Sequence, residues 1–414
     1  MPSAGPSGVV RVALGSFRWP LDPALAAGRD ETTLARTLYA TPLRTDPATG
    51  AVAPGLCTAW HASAGFRRWT FTCASAPAIA AALRRVAGLS AAPARWLFAN
   101  SARITAPSAS SLVVQLREPW RRFPYALTAV AAAPRSVPGP FRLVSGSARR
   151  VVVRREGLTV VFRRLDSHSA AREFRQGRLD EAPVPTGDIV ATARDATLGQ
   201  ALRVRTLLGL DLLTFRGGPA QDLRRVYAAT ANRTDYEQLV PEIKGGAAFD
   251  LMGRVQRQKP ATFRDALKRI PSLPRVRVAI GVPRDPVLRY GARLLYASWR
   301  DVGLGPVLVD AGPGVKTELG RQLAAYPQTE ALFWPLVASG LGSRQLFAAA
   351  LAATGQVGPL GRLDDQIRAL HRVVPIAWAR DARLVSPRLD GWREDLLGNV
   401  DYGVVTARRS RAGG

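Results

Sequence analysis

Cysteine chemistry is the first possibility that the sequence raises, because Cys57 and Cys73 are the only two cysteines in a chain of 414 residues and lie close together. Alternating apolar positions on both sides of Ala64 and Gly65 predict a β-hairpin that places the two cysteines opposite each other, within the distance that a disulfide needs. Two buried free thiols are the alternative, and a metal site with His61 as a third ligand would lack a fourth ligand nearby. A disulfide would place the protein in an oxidising compartment, outside the cytoplasmic membrane.

Residues that could support catalysis are sparse. The chain has three histidines, His61, His168 and His371, and no Ser or Cys has an obvious base in its sequence context, although residues distant in sequence can meet in a fold. Asp364 and Asp365 look like a pair of catalytic carboxylates, but adjacent residues on a helix point about 100° apart. Phosphate-binding loops, HExxH motifs and dinucleotide fingerprints do not occur. We therefore expect a binding protein rather than an enzyme, with no cofactor and no metal.

The net charge of +27 raises nucleic acid as a partner, yet we do not expect one. The positive charge is almost all arginine, which coding bias explains in a chain rich in Ala, Gly and Pro. The arginines are spread along the whole sequence, and no helix-turn-helix or zinc-finger pattern focuses them. The length predicts two or more domains. The sequence lacks a run of about twenty apolar residues, and it begins without the basic and apolar segments of a signal peptide.

The elements that would position these residues alternate between strands and helices. Residues 9–14 predict a strand, and a helix with Asp30 as its N-cap follows. Two strand-like runs flank Glu156 and Gly157 and predict a hairpin. A strand at residues 276–280, a helix that ends at Gly303 and a second strand at 307–309 predict a βαβ unit. The pattern predicts an α/β fold with more than one lobe.

Eight segments spread over nearly the whole chain form one ordered pattern. They are Leu21-Asp22-Pro23, LYATPLRTDPATGAVAPGLCTAW (38–60), RWTFTC (68–73), GPFRLV (139–144), AAREFRQGRLDEA (170–182), LDLLTFRGGPAQDLRRVYAATANRTDYEQLV (210–240), the βαβ unit, and VVPIAWARDARLVSPRLDGW (373–392). In this order they resemble the family 5 extracellular solute-binding proteins, which are the peptide, oligopeptide and nickel receptors of ABC importers.

The resemblance implies an α/β, bilobed periplasmic binding protein fold of type II, similar to cluster C, with two mixed-sheet lobes joined by a hinge. It implies a first lobe at residues 1–212, a second lobe at 213–378, and a return to the first lobe at 379–414. The subdomain around 57–135 departs from the family and is trimmed, because the segment that such receptors carry after the strand ending at Cys73 is shorter here. Such a protein captures a small solute or peptide between its lobes by hinge closure and presents it to an ABC permease in the membrane. An extracytoplasmic monomer is therefore expected.

The same resemblance suggests which residues bind the solute. From the lobe geometry we expect Trp19, Arg216, Trp334, Ser339 and Trp378 to face the cleft, with the protein core as the alternative for each tryptophan. Peptide-binding members carry an acidic residue after the tryptophan that corresponds to Trp334, where it pairs with the peptide α-amine, and this sequence has none there. Arg216 occupies a position often held by Asn and could pair with a carboxylate or phosphate. A peptide-like, anionic or amphiphilic ligand is expected.

Two alternatives use the same fold. A cytoplasmic ligand-sensing domain would be consistent with the missing signal peptide and the arginine excess. A degenerate receptor that binds a protein partner would be consistent with the trimmed first lobe and the missing acid.

Overall fold

The computed structural model describes residues 8–46, 51–98, 101–117, 119–130, 139–185, 188–215, 219–231, 276–283, 286–312, 314–323, 371, 373–395 and 398–408. The chain divides into two compact units. The first consists of Met1–Val184, Ala191–Arg205 and Asp381–Gly414, and the second of Pro185–Val190 and Thr206–Arg380. Two long strands run from one unit into the other, β12 (Leu202–Phe215) and β16 (Val373–Val385). The predicted domain boundaries, after residues 212 and 378, fall within these two strands.

The main sheet of the first unit has the strand order β8-β9-β10-β1-β11-β16. Its strands are β1 (Gly8–Leu14), β8 (Arg142–Gly146), β9 (Arg150–Arg155), β10 (Leu158–Arg164) and β11 (Glu181–Pro183). Strand β1 runs parallel to both β10 and β11, whereas β9 and β16 run antiparallel to their neighbours. Alternating apolar residues of β1, β9 and β10 form one buried core. The predicted hairpin at Glu156-Gly157 is confirmed.

Helix α1 (Gly28–Leu38) follows β1 and packs Leu34 and Ala35 into the same core. The prediction that Asp30 caps this helix was wrong, because the N-cap is Ala27 and Asp30 lies in the first turn. There its carboxylate accepts hydrogen bonds from the loop that follows β1. Helix α2 (Ala76–Gly88) contacts the smaller sheet of this unit, which is described next. Helix α3 (Ser167–Arg175) has Asp166 as its N-cap, and the side chain of Asp166 accepts a hydrogen bond from the Ser169 N–H.

A smaller antiparallel sheet in the first unit contains both cysteines. Its strands are β4 (Cys57–Ala62), β5 (Arg68–Cys73), β6 (Ser101–Thr105) and β7 (Ser111–Leu116), in the order β4-β5-β7-β6. Cys57 pairs with Cys73 across β4 and β5, and the two form a disulfide. The predicted hairpin and disulfide are therefore confirmed. Trp69 is buried and its indole N–H donates to the Trp120 carbonyl at 3.2 Å, whereas Trp60 on the neighbouring strand is only half-buried.

Short elements complete the first unit and connect it to the second. They are β2 (Leu43–Thr45) paired with β3 (Val52–Pro54), β17 (Leu389–Asp390) paired with β18 (Thr406–Ala407), the 3₁₀ helices Arg95–Phe98 and Phe123–Thr128, and helices α4 (Ile189–Arg194) and α5 (Leu198–Ala201).

The second unit is an α/β layer with the strand order β14-β13-β15-β12, and β12 in turn neighbours β16. Its further elements are α6 (Gln221–Thr230), β13 (Arg277–Val282), α7 (Pro286–Asp301), β14 (Gly305–Asp310) and β15 (Thr317–Leu323). Strands β13 and β14 are parallel and joined by α7, which confirms the predicted βαβ unit. Trp299 of α7 is buried, packs edge-to-face on Tyr227 with ring centres 5.1 Å apart, and donates its N–H to the Tyr227 carbonyl.

Replacing both cysteines, Cys57→Ser with Cys73→Ser, should lower the free energy of unfolding of the first unit by about 3 kcal/mol, because opening a loop of this length returns entropy to the unfolded chain. Chemical denaturation followed by tryptophan fluorescence measures the change. A reducing agent should destabilise the wild type by a similar amount and leave the double variant unaffected. Equal stability of the oxidised wild type and the double variant would contradict the expectation.

Candidate functional site

Polar side chains of the first unit gather where β1 ends. In sheets that contain parallel strands, the loops at the carboxyl ends of the strands commonly carry binding residues. The loop between β1 and α1 is held by α1 itself, because Oδ2 of Asp30 accepts hydrogen bonds from the N–H groups of Gly15 and Ser16 at 2.8 and 3.1 Å. A carboxylate in the first turn of a helix is also favoured by the helix dipole.

Glu31 fixes the rest of this loop. Its carboxylate is nearly buried and accepts hydrogen bonds from the backbone N–H of Arg18, from Nε and Nη2 of the same arginine, and from the N–H of Ala27, all between 2.6 and 3.0 Å. Burial acts to raise the pKa of Glu31, but the hydrogen bonds and the charge of Arg18 outweigh it, so the pKa lies below its ordinary value. Asp30 and Glu31, in the first turn of α1, therefore hold both ends of this loop by hydrogen bonds.

Trp19 lies at the middle of this loop and is half-buried. Its indole ring lies against Gly146 at the end of β8, where a Cβ atom would overlap the ring. Beside it, Arg85 of α2 forms two hydrogen bonds with the carboxylate of Asp22 and lowers the pKa of that group. The loop thus joins the two sheets of the first unit.

A buried ion cluster lies in the same unit and consists of Arg29, Glu181, Asp381, Arg383 and Glu394. Arg383 and Glu181 are almost completely buried and form an ion pair with each other. Arg29 pairs with Asp381, and its Nη1 lies 3.7 Å from Oε1 of Glu394. Arg383 also lies 3.6 Å from Asp381, 3.9 Å from Glu394 and 3.8 Å from Asp30.

Neutral donors complete the cluster. Oε2 of Glu181 accepts hydrogen bonds from the indole N–H of Trp392 and the hydroxyl of Tyr402, each at 2.7 Å. Burial raises the pKa of the Tyr402 hydroxyl well above its usual value, so it remains a donor. Burial also raises the pKa of Glu394, an effect that Arg29 and Arg205 oppose.

The cluster anchors both strands that run between the units. Asp381 and Arg383 are on β16, directly after the point where that strand enters the first unit. Arg205 is the last residue of the first unit on β12, and its guanidinium donates to the carbonyl of Glu394. The ends of both crossing strands are therefore fixed to the C-terminal segment and to α1.

The sequence-predicted ligand residues are distributed over both units. Trp19 belongs to the first unit, and Trp378 is half-buried on β16 in the second. Arg216, Trp334 and Ser339 lie outside the described residues. Sequence reasoning missed the ion cluster. The available signal was the group of charged residues, Arg380, Asp381 and Arg383, that interrupts the apolar sequence of β16, because a buried charge usually requires a partner.

The contacts of this cluster and of the loop after β1 hold the first unit together. Within the residues that the structure describes, no group of three or more His, Cys, Asp or Glu side chains could hold a metal ion. Among the described helices, none is both long enough and apolar enough to span a bilayer.

No family model and no curated protein sequence matches this chain. Solved structures do match over almost its whole length. The murein tripeptide binding protein MppA of Escherichia coli has a TM-score of 0.82 at 15% identity and covers 98% of this chain and 100% of its own. The DppA protein of Helicobacter pylori, in complex with the peptide STSA, has a TM-score of 0.78 at 14% identity over 97% and 98% of the two chains. NikZ of Campylobacter jejuni, in complex with Ni(L-His), has a TM-score of 0.75 at 13% identity over 94% and 96%.

The chain has the periplasmic binding protein fold. The predicted fold class, α/β and bilobed, is confirmed by these matches. The resemblance to family 5 solute-binding proteins is supported at the level of fold, since identities of 13–15% carry structural information alone.

Replacing Arg383 with Met should lower the free energy of unfolding by about 3–5 kcal/mol, because Glu181 would remain buried without its cation. Adding Glu181→Gln should recover part of that loss, since the amide carries no charge and its oxygen still accepts from Trp392 and Tyr402. Denaturant titration of the two variants measures both changes. Arg408→Met, which removes the exposed pair with Asp390, is the control and should have a much smaller effect. A double variant less stable than Arg383→Met would contradict the expectation.

Replacing Glu31 with Gln should lower the free energy of unfolding at pH 7 by about 1–2 kcal/mol through weaker hydrogen bonds to the loop. The pKa of Glu31 is lower in the folded protein than its ordinary value of 4.5, so its stabilising effect is complete above that value and is lost as the pH falls through the folded value. The difference between wild type and variant should therefore shrink below about pH 4.5. Denaturant titrations from pH 3 to 8 test this, with the exposed Glu156→Gln as control. A difference that is constant with pH would contradict it.

Proposed function

We propose that this chain is the solute-binding protein of an ABC importer, which captures a small peptide-like solute by hinge closure and delivers it to a membrane permease. The observation that carries the proposal is the fold match to MppA over 98% of the chain, because MppA is named for binding a murein tripeptide. DppA was solved with a peptide and NikZ with a nickel–histidine complex, so small peptide-like and amino-acid-based solutes recur on this fold.

Binding rather than catalysis is proposed for the same reason. The proteins that share the fold are named as binding proteins, and a fold alone does not bring chemistry with it. The disulfide between Cys57 and Cys73 supports a location outside the cytoplasm, where such bonds persist, over the cytoplasmic alternative. The protein would act there as a monomer.

The proposed ligand is a short peptide or related solute with a free carboxylate. Arg216 directly follows β12 and is the proposed partner of that carboxylate. Trp19, Trp334 and Trp378 would supply the aromatic walls and Ser339 a hydroxyl. The half-buried state of Trp19 and Trp378 supports this role, since part of the surface of each side chain stays accessible.

The decisive experiment uses the full chain produced with export to an oxidising compartment. Native mass spectrometry would identify any retained solute, and calorimetry with di- to pentapeptides, C-terminally amidated peptides and nickel–histidine would give affinities. We expect binding of free-carboxylate peptides. At a ligand concentration 100 times the Kd, the free energy of unfolding should rise by about 2.7 kcal/mol.

Arg216→Gln should weaken binding of the free-carboxylate peptide by about 10- to 100-fold and leave the amidated peptide unaffected. Arg293→Gln, which removes an exposed arginine of α7, is the matched control and should bind as the wild type does. Unchanged affinity in Arg216→Gln would reject the proposed role of Arg216 but not the importer function. No retained solute and no binding of any tested compound would reject the importer function.

A further inference from the structure

The segment from Arg142 to Arg164 has a strong local excess of positive charge. It contains seven arginines and a single acidic residue, Glu156. It forms β8, β9 and β10, and β8 is the last of the described strands at its end of the sheet. A net charge spread along a chain is often without consequence, but here the arginines are concentrated on a few adjacent strands.

Most of these arginines have no partner within the described part of the chain. Arg163 pairs with Glu173, and Arg155 donates to the Val405 carbonyl. The remaining five are exposed and make no side-chain hydrogen bond or ion pair among the described residues; they are Arg142, Arg149, Arg150, Arg154 and Arg164.

The backbone places these five arginines in two groups, Arg142 with Arg154 at one end of the β8–β9 pair and Arg149, Arg150 and Arg164 at the other. Arg142 lies directly opposite Arg154 in the pairing of β8 with β9. A tight turn with hydrogen bonds between Ser147 and Arg150 joins the two strands, and the Arg164 N–H donates to the carbonyl of Arg149. Like charges directly opposite each other destabilise a sheet, so this placement is not accounted for by the stability of the fold.

Exposed apolar residues directly follow Arg142 in the same strand. All residues of β8 are exposed, and the solvent-exposed fractions of Leu143 and Val144 are 50% and 52%. The indole of Trp19 lies against Gly146 at the end of the same strand. We define the β8 edge as β8 together with Arg149, Arg150, Arg154 and Arg164.

We propose that the β8 edge binds the surface of an anionic phospholipid bilayer. Guanidinium groups pair well with lipid phosphates, and aliphatic side chains beside them can enter the headgroup region. A nucleic acid backbone would match the charge but would leave Leu143 and Val144 without an apolar partner. Each basic side chain near an anionic membrane strengthens binding about fivefold, so several arginines suffice for a stable association. This role is independent of the importer function.

The first test is flotation of the full chain with vesicles of pure phosphatidylcholine and of phosphatidylcholine with phosphatidylglycerol. We expect salt-sensitive binding to the anionic vesicles only. Arg149→Gln, Arg150→Gln and Arg164→Gln combined should weaken it on the order of 100-fold. The control combines Arg194→Gln, Arg277→Gln and Arg293→Gln, which removes equal charge from exposed arginines elsewhere. Equal loss in both triple variants, or no vesicle binding by the wild type, would overturn the proposal.

The second test asks whether β8 itself touches the lipid. The protein has no free cysteine among its described residues, and its only two cysteines form the disulfide, so Val144→Cys introduces a single thiol for an environment-sensitive fluorophore. Anionic vesicles should shift the emission of this label to shorter wavelength. Val307→Cys on β14, also exposed, is the control and should show no shift. A shift at both positions, or a shift at residue 144 with duplex DNA but not with vesicles, would overturn the assignment to a membrane.

Discussion

The ion pair between Arg383 and Glu181 is the constraint on which the organisation of the first unit depends. Both side chains are almost completely removed from water, and a buried charge that loses its partner of opposite charge is strongly destabilising. Trp392 and Tyr402 donate to Glu181, the carboxylates of Asp381 and Glu394 lie 3.6 and 3.9 Å from the Arg383 guanidinium, and Arg29 pairs with the same two carboxylates. These groups come from α1, β11, β16 and the C-terminal segment. The chain must therefore return to the first unit after the second is complete.

Because the chain returns, the parts of β12 and β16 that lie in the first unit are held in place. Arg205 on β12 and Asp381 on β16 are both held by contacts to the cluster or its backbone. The adjacent loop after β1 is held by Asp30 and Glu31 of α1. Carboxylates from one helix turn thus fix a loop that carries Trp19, a proposed ligand residue. A binding residue on a loop is positioned well only when such supporting contacts exist.

Two groups of arginines in the described part of the chain differ in their surroundings. Arg29, Arg36, Arg383 and Arg388 pair with carboxylates and belong to the interior or its border. The arginines of the β8 edge are exposed and have no acidic partner in the described part of the chain. The same composition therefore serves folding in one region and leaves charge available for a partner in another. Net charge alone does not distinguish these uses.

The local elements follow from the amino-acid sequence alone, because strand and helix periodicities depend on neighbouring residues. The hairpin that pairs Cys57 with Cys73, the hairpin at Gly157 and the βαβ unit around α7 are all encoded this way. Their order along the chain also indicated the fold. The ion cluster could be found only in the tertiary structure, because its members are separated by up to several hundred residues. The tertiary structure was also needed to show that Asp30 anchors a loop and does not cap the helix. Burial is likewise a tertiary property, which is why Trp60 and Trp69, alike in sequence context, differ in exposure. Pairing over long sequence distances depends on how the strands are ordered in the sheet, and periodicity carries no information about that order.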